Sequence, residues 1–499
     1  MTDSGSTHFE HVELRPGAYA DSVALLQVSK DVAAVPGVLA AQVSMATELN
    51  LDVIAGMGFT IPEASPNDMV VAVRLSSEAD LASALAAVDE AIAATRRHTS
   101  SSEDVEVPSR TTASALKRSG AKLVVISVPG ASATTEAADA ILDGSDVMIF
   151  SDNVPLEEEI ALKQLAQSHD ALVMGPDCGT AVVNGVGLGF ANTMRPGPVG
   201  IVAASGTGCQ QLLALLDYAN VGITAALGVG GRDLSSQVKG LSTKQAMLRL
   251  DADPKTDLIV VVSKPPASEV AQDLKAFAQT LSTPVQFALL GAGQPNLTEA
   301  AERALNELGQ SVPEWPSWGT PQSSGSGYLR GLFSGGTLCD EAMIMAQETA
   351  GPVWSNIPLD ESHRIDSSLE TNGTVMIDFG SDEMTQGRAH PMIDGTIRLE
   401  HLAKVAANPQ VRFVLMDIVL GHGADADPAA SLAPAITAAH DTARADGREL
   451  SIVLACVGTS GDPQDLATQA ETLAAAGAEV HLSNARATAR VLSLMENAS

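Results

Sequence analysis

Two short stretches of this chain combine the residue types that hold an oxyanion. Gly200 to Asp217 reads GIVAASGTGCQQLLALLD, an apolar strand that breaks at Ser205, Gly206, Thr207 and Gly208 and restarts as an amphipathic helix. The glycines let backbone approach a ligand, Ser205 can cap the helix, and first-turn N–H groups at the positive helix end suit phosphate. Tyr328 to Met345, YLRGLFSGGTLCDEAMIM, repeats the device at Ser334, Gly335, Gly336 and Thr337. A single copy also describes an ordinary tight turn between strand and helix. Two copies point to a phosphate site at which two helix starts serve one anion. Neither is a P-loop, since no G-x-x-x-x-G-K-[ST] occurs, so nucleotide binding of that type is not supported.

Composition bounds the rest. The 499 residues carry 60 acidic against 29 basic side chains, a net charge of −31, with 45% apolar residues. Phosphate backbones and anionic membranes need a basic face, so neither nucleic acid nor membrane is an expected partner. Cys178, Cys209, Cys339 and Cys456 lie far apart with no C-x-x-C spacing, which predicts buried thiols in a reducing cytosol and no metal site. The N-terminus is polar and acidic, and no apolar run reaches about 18 residues, so the expected place is the cytoplasm.

The elements that must position the turns follow an α/β grammar. Residues 1–95 alternate short strands and helices, which predicts a small ferredoxin-like α+β domain. Within it, Arg15 to Tyr19 and Asn50 could face a ligand, although a structural turn is the simpler reading. Residues 96–112 are polar and Ser/Glu-rich, a linker. Residues 113–196 and 197–309 alternate continuous apolar strands with helices, the pattern of parallel sheets of Rossmann-like and flavodoxin-like type. A Pro/Ser/Gly-rich linker at 310–327 precedes a further flavodoxin-like module at 328–499. Ligand crevices in such sheets open at the carboxyl ends of strands, here including Ser205 to Gly208, Gly228 to Asp233 and Ser263 to Pro266.

These residues carry a family resemblance. From about Thr112 to Gly291 the chain resembles the α subunit of succinyl-CoA synthetase, through GPDCGT, GPVGIVAASGTG, GVGGRD and DPKTDLIVVV. From about Gly327 it resembles the carboxyl-terminal domain of that enzyme's β subunit. This order, with a small amino-terminal domain added, resembles the FdrA family, described as acyl-CoA synthetase-like. The departures are informative. The synthetase carries a phosphorylated loop histidine in G-H-A-G-A, whereas the matching position here reads Gly291-Ala292-Gly293-Gln294. The G-H-G-A at Gly421 to Ala424 follows a different strand. The ATP-grasp half and the first CoA-binding turn, G-x-T-G-x-Q-G, have no counterpart.

The FdrA resemblance implies a subunit of a carbamoyltransferase that converts oxalurate and phosphate to oxamate and carbamoyl phosphate in allantoin catabolism. On that reading phosphate or carbamoyl phosphate is substrate at the two turns, and partner subunits complete an oligomeric complex. Arg388 would clamp a carboxylate or phosphate and His390 would donate a proton or polarise a carbonyl. Their plain readings are a surface ion pair and a satisfied loop histidine. Asp378 and Asp233 would orient loops. Two alternatives stand beside it: an acyl-CoA ligase with CoA as substrate and a separate nucleotide-binding partner, and a non-catalytic scaffold subunit.

Overall fold

The computed structural model describes residues 8–16, 18, 20, 22–62, 64–65, 68–98, 109–385 and 388–496. Much of the expected 96–112 linker, with Gly17 and Tyr19 of the early turn, lies outside the described residues. The chain forms two compact units, one up to residue 108 together with Thr385 to Ala389, the other comprising the remainder.

The first unit is an antiparallel sheet of order β1-β3-β2, from β1 (Phe9–Pro16), β2 (Val38–Met45) and β3 (Asp68–Leu75). Helices α1 (Ser22–Ala33), α2 (Glu48–Gly56) and α3 (Leu81–His98) complete it. Alternation along β3 explains the layering: Val71, Val73 and Leu75 join a core with Leu25 and Val88, while Val70 and Ala72 join Ile54 and Phe59. Asn50 donates to the Met45 carbonyl at 2.8 Å, a structural task.

The second unit starts with α4 (Thr112–Ser119), fixed by a capping box between Thr111 and Ser114. A three-stranded parallel sheet follows, β4 (Leu123–Ile126), β5 (Asp146–Ile149) and β6 (Val173–Met174), with α5 (Gly130–Leu142) and α6 (Leu156–Ser168) between. Next comes a six-stranded sheet of order β12-β11-β9-β10-β7-β8. It comprises β7 (Thr180–Val183), β8 (Val186–Gly189), β9 (Pro196–Ala204), β10 (Ile223–Gly228), β11 (Leu258–Ser263) and β12 (Val285–Leu289). Residues 180–189, grouped on the sequence with the Rossmann-like module, join this sheet, because β7 pairs antiparallel with β10. Its helices are α7 (Gly206–Tyr218), α8 (Leu241–Asp251), α9 (Ser268–Ala278) and α10 (Leu297–Glu307).

The last sheet has order β13-β19-β18-β17-β14-β16-β15 and is parallel except for β13 (Ser317–Trp318), which the Pro-rich connection contributes at the edge. The other strands are β14 (Tyr328–Phe333), β15 (Val353–Trp354), β16 (Thr374–Asp378), β17 (Val411–Val419), β18 (Ser451–Val457) and β19 (Glu479–His481). Helices α11 (Gly336–Ala350), α12 (Asp382–Thr385), α13 (Thr396–Ala407), α14 (Pro428–Ala445), α15 (Leu466–Ala475) and α16 (Asn484–Glu496) connect them. The six- and seven-stranded sheets stay separate yet share one core, in which Leu212, Leu216 and Ala301 meet Leu338, Ala342 and Val491. Continuous apolar strands buried on both faces leave function to the strand ends.

Candidate functional site

β9 ends at Ala204, and Ser205, in extended conformation, caps α7 by accepting from the Gly208 N–H at 3.0 Å. β14 ends at Phe333, and α11 starts at Gly336 with no side-chain cap. The two turns meet: Ser205 Oγ lies 2.6 Å from Thr337 Oγ1, both residues buried. A Cβ on Gly335 would stand 2.9 Å from Thr207 Cγ2, and one on Gly208 3.1 Å from Thr337 Cγ2. The turns touch closely enough that no phosphate fits between these glycines and threonines. The second turn is also occupied from within. Asp417, wholly buried on β17, accepts from Ser334 N at 2.7 Å, Ser334 Oγ at 2.9 Å and Gly335 N at 2.8 Å. Ser334, Gly335 and Gly208 thus spend their N–H groups inside the protein. Gly206, Thr207, Gly336 and Thr337 remain as first-turn donors that have no acceptor within their own helices.

Of these donors, Gly336 is joined by charge. A Cβ on Gly336 would lie 2.7 Å from Asp378 Oδ2 and 3.0 Å from Lys264 Nζ, so the backbone of α11 starts against an ammonium and a carboxyl. Lys264 follows the end of β11 and sits 4.0 Å from Asp340 Oδ2. Burial works against its charge, but Asp340, Asp378 and Asp177 outweigh burial and its pKa is raised. Asp378 ends β16, is 4% exposed, and accepts from Gly380 N at 2.8 Å. Burial drives its pKa up to about 7, against the pull of Lys264. Asp378 therefore shares its proton near neutrality, beyond the loop-orienting role that the sequence suggests.

His390 joins this group. A Cβ on Gly380 would come 2.6 Å from His390 Nε2 and 2.6 Å from the Ser334 carbonyl oxygen. Its ring packs on Phe190 at 5.6 Å, and Nδ1 accepts from Met392 N at 3.2 Å. Burial and Arg398 lower its pKa to about 4, so at neutral pH the ring is uncharged with its proton on Nε2. Arg388 is exposed, groups with the first compact unit, and donates its N–H to the Thr385 carbonyl. Asp233 does orient loops, accepting from Lys163 Nζ at 2.7 Å and from the Thr243 N–H at 2.9 Å. His422 is exposed and meets Thr193 Oγ1 at 3.0 Å, and residues 291–294 form a turn without histidine.

The other helix starts suit anions less. A Cβ on Gly130 would stand 2.4 Å from the Asp152 carbonyl oxygen, so backbone covers the start of α5. The first turn of α6 carries Glu157, Glu158 and Glu159, which repel an anion. The four cysteines are free and buried, and burial pushes Cys178, Cys209 and Cys456 up to about 12, which makes them inert thiols. Among the described residues no helix is long and apolar enough to cross a membrane.

A small α+β unit followed in the chain by parallel α/β sheets is the fold class expected from the sequence, and the last sheet falls within a CoA-ligase family match. Residues 332–494 match the CoA-ligase family, and residues 7–108 match a family described as "AllF, heavy metal-associated domain". The chain is 38% identical over 494 residues to YahF of Escherichia coli K12, covering 93% of this chain and 95% of that one. It belongs to the family of that protein, the FdrA-type family that the sequence resembles. A further relative is the succinate–CoA ligase [ADP-forming] α subunit of Methanothermobacter thermautotrophicus, 27% identical over 174 residues, 34% of this chain and 58% of that subunit. The solved ATP citrate lyase of Methanothrix soehngenii, in complex with citrate and coenzyme A, overlays on 40% of this chain and 37% of its own at 19% identity and a TM-score of 0.32.

These relationships correct the expectation of a carbamoyltransferase. The matching family and the α-subunit relative are CoA ligases, so the assignments to carbamoyl transfer and to allantoin catabolism are withdrawn. The expectation rested on the FdrA resemblance. The heavy-metal-associated description covers residues 7–108. That segment contains no cysteine, His8 and His11 lie against Glu10 and Glu13, and among the described residues no cluster of metal-ligating side chains forms.

Proposed function

We propose that this chain is the acyl-phosphate-handling body of an acyl-CoA-ligase-type enzyme, with the nucleotide and the CoA diphosphate held by a partner subunit. The observation that carries this reading is the start of α11 at Gly336, set against Lys264 and Asp378 and packed on the start of α7 through Ser205 and Thr337. When an acyl phosphate is cleaved at its acyl carbon, the C–O bond electrons pass to the phosphate oxygen. Lys264 and the N–H group of Gly336, at the positive start of α11, stabilise that charge in place, without reorganisation. Asp378, with its pKa near 7, gives or takes the phosphate proton, and His390 donates through Nε2. CoA is the thiol acceptor in such ligases, and no residue of this chain is assigned to its diphosphate.

The test is co-purification with the products of neighbouring genes, followed by an assay of ADP and acyl-CoA formation from ATP, CoA and a panel of small carboxylic acids. The expected result is turnover by the complex and none by the chain alone, reduced roughly 100-fold or more by Lys264→Met, as for loss of one preorganised donor. Turnover indifferent to Lys264→Met, or none that depends on both CoA and an acid, overturns the reading.

A further inference from the structure

The three-stranded parallel sheet ends on an open strand. β4 bonds β5, and among the described residues no strand lies on its other side. The Lys122 and Ile126 carbonyls accept from Asp146 N and Phe150 N, at the two ends of β5, both at 2.9 Å. Alternate residues of a parallel strand turn their backbone groups to opposite sides, so Val124 also faces β5 while Leu123 and Val125 direct N–H and C=O groups outward. Natural edges are blunted by charge, proline, a bulge or shortness, and β13 and β15 are two residues long. β4 reads LVVI in unbroken register with β5, and Val125 is 51% exposed.

Positive charge frames this edge. Residues 109–126 hold Arg110, Lys117, Arg118 and Lys122 and no acidic side chain, within a chain of net charge −31. Lys117 and Arg118 end α4, and Lys122 directly precedes β4. All four are exposed, and Arg110, Lys117 and Lys122 make no ion pair among the described residues. Such a patch steers an acidic partner and fixes its register. Two copies of this chain joined along β4 would set one basic patch against the other, and like charges repel, which disfavours a second copy as occupant.

We infer that the β4 edge docks an extended acidic segment of the nucleotide-holding partner subunit, which adds a strand to this sheet through the backbone groups of Leu123 and Val125. The identity of the partner rests on the ligase-type reading; the open edge and its charge stand without it. Val125→Pro probes the pairing, because the N–H that it removes faces away from β5 and proline is tolerated at such an edge position. Lys117→Glu combined with Lys122→Glu probes the charge and leaves the strand intact.

The test uses the full chain alone and in complex with the subunit that co-purifies from the neighbouring genes. Amide exchange at Leu123 and Val125 is fast in the chain alone and roughly tenfold or more slower in the complex. Val125→Pro and the double charge reversal each weaken the complex roughly tenfold or more, the reversal most at low salt, with the melting temperature of the chain unchanged. Val186→Lys, at an exposed position on β8, leaves binding as it is. Should Val125→Pro fail to fold, the charge reversal and the amide exchange decide. Binding unchanged in the variants overturns the inference. So does slow exchange of the two amides in the isolated monomer, which would assign the edge to this chain's own residues 99–108, and so does a homodimer that Val125→Pro dissociates. Turnover by a complex that ignores both variants refutes the docking edge alone. A complex that responds to them but gives no turnover dependent on acid and CoA keeps the edge and removes the ligase reading, and no complex at all removes both.

Discussion

Lys264 and Asp378 face each other across the start of α11, and their chemistry decides what an arriving anion meets. Asp378 keeps a proton in the native state up to about pH 7, while the unfolded chain releases it near 3.8. A raised carboxyl of this kind costs stability as pH climbs between those values, because the folded state binds more protons. The difference in unfolding free energy between the protein and Asp378→Asn should therefore move in favour of the variant from about pH 4 to 7, by at most ~4 kcal/mol. A difference independent of pH contradicts the burial argument. His422 and the 291–294 turn lead to a second expectation at this scale. With no histidine in that turn, ATP should leave no acid-labile phosphate on this chain, with or without His422→Ala; a label lost in that variant would refute it.

How far residues could be read ahead of the structure differs by kind. The two Gly-rich turns announce themselves because strand, glycine and helix are adjacent in sequence. Lys264 was visible at a strand end, but one lysine before two prolines has no pattern that assigns it work. Asp417 was hidden, since it sits inside the apolar run VRFVLMDIVLG more than 80 residues after the turn it caps. Arg398 is not singled out by the sequence, and the fold buries it.

Among elements, the contacts of α6 and α7 show how polar seams fix the site. Lys163 on α6 is fully buried and donates to Glu159 at 2.7 Å, to Asp233 at 2.7 Å and to the Val229 carbonyl at 3.0 Å. It ties α6 to the loop after β10. Lys163→Met leaves buried carboxylates short of a counterion and should cost roughly 3–5 kcal/mol in denaturant unfolding. A loss below about 1 kcal/mol, the range of surface pairs, would show the network to be dispensable. On α7, Gln211 spans to the other sheet, donating to the Leu482 carbonyl at 3.2 Å and accepting from Asn484 N at 2.8 Å. Element types and order were legible from apolar periodicity. The edge strand β13 and the transfer of β7 and β8 to the next sheet were not, because two- to four-residue strands carry too little pattern to outweigh their neighbours.

At the scale of the whole second unit, the shared core means that the six- and seven-stranded sheets are one folding entity despite the Pro-rich connection between them. Fragments 109–309 and 328–496 expressed separately should fail to give cooperative unfolding and should recover it on co-expression. Independent cooperative melting of each would contradict the shared core. The same packing holds α7 against α11, so an anion at their junction stabilises the entire unit by mass action. The central claim is that this junction, at Gly336, Lys264 and Asp378, receives phosphate. Its most direct measurement is the melting temperature of the full chain titrated with inorganic phosphate at constant ionic strength, with sulfate as the control for general salt effects. The melting temperature should rise with phosphate in the full chain, and that rise should be absent in Gly336→Val and Lys264→Met. A melting temperature indifferent to phosphate, or an equal rise in Gly336→Val, would contradict it.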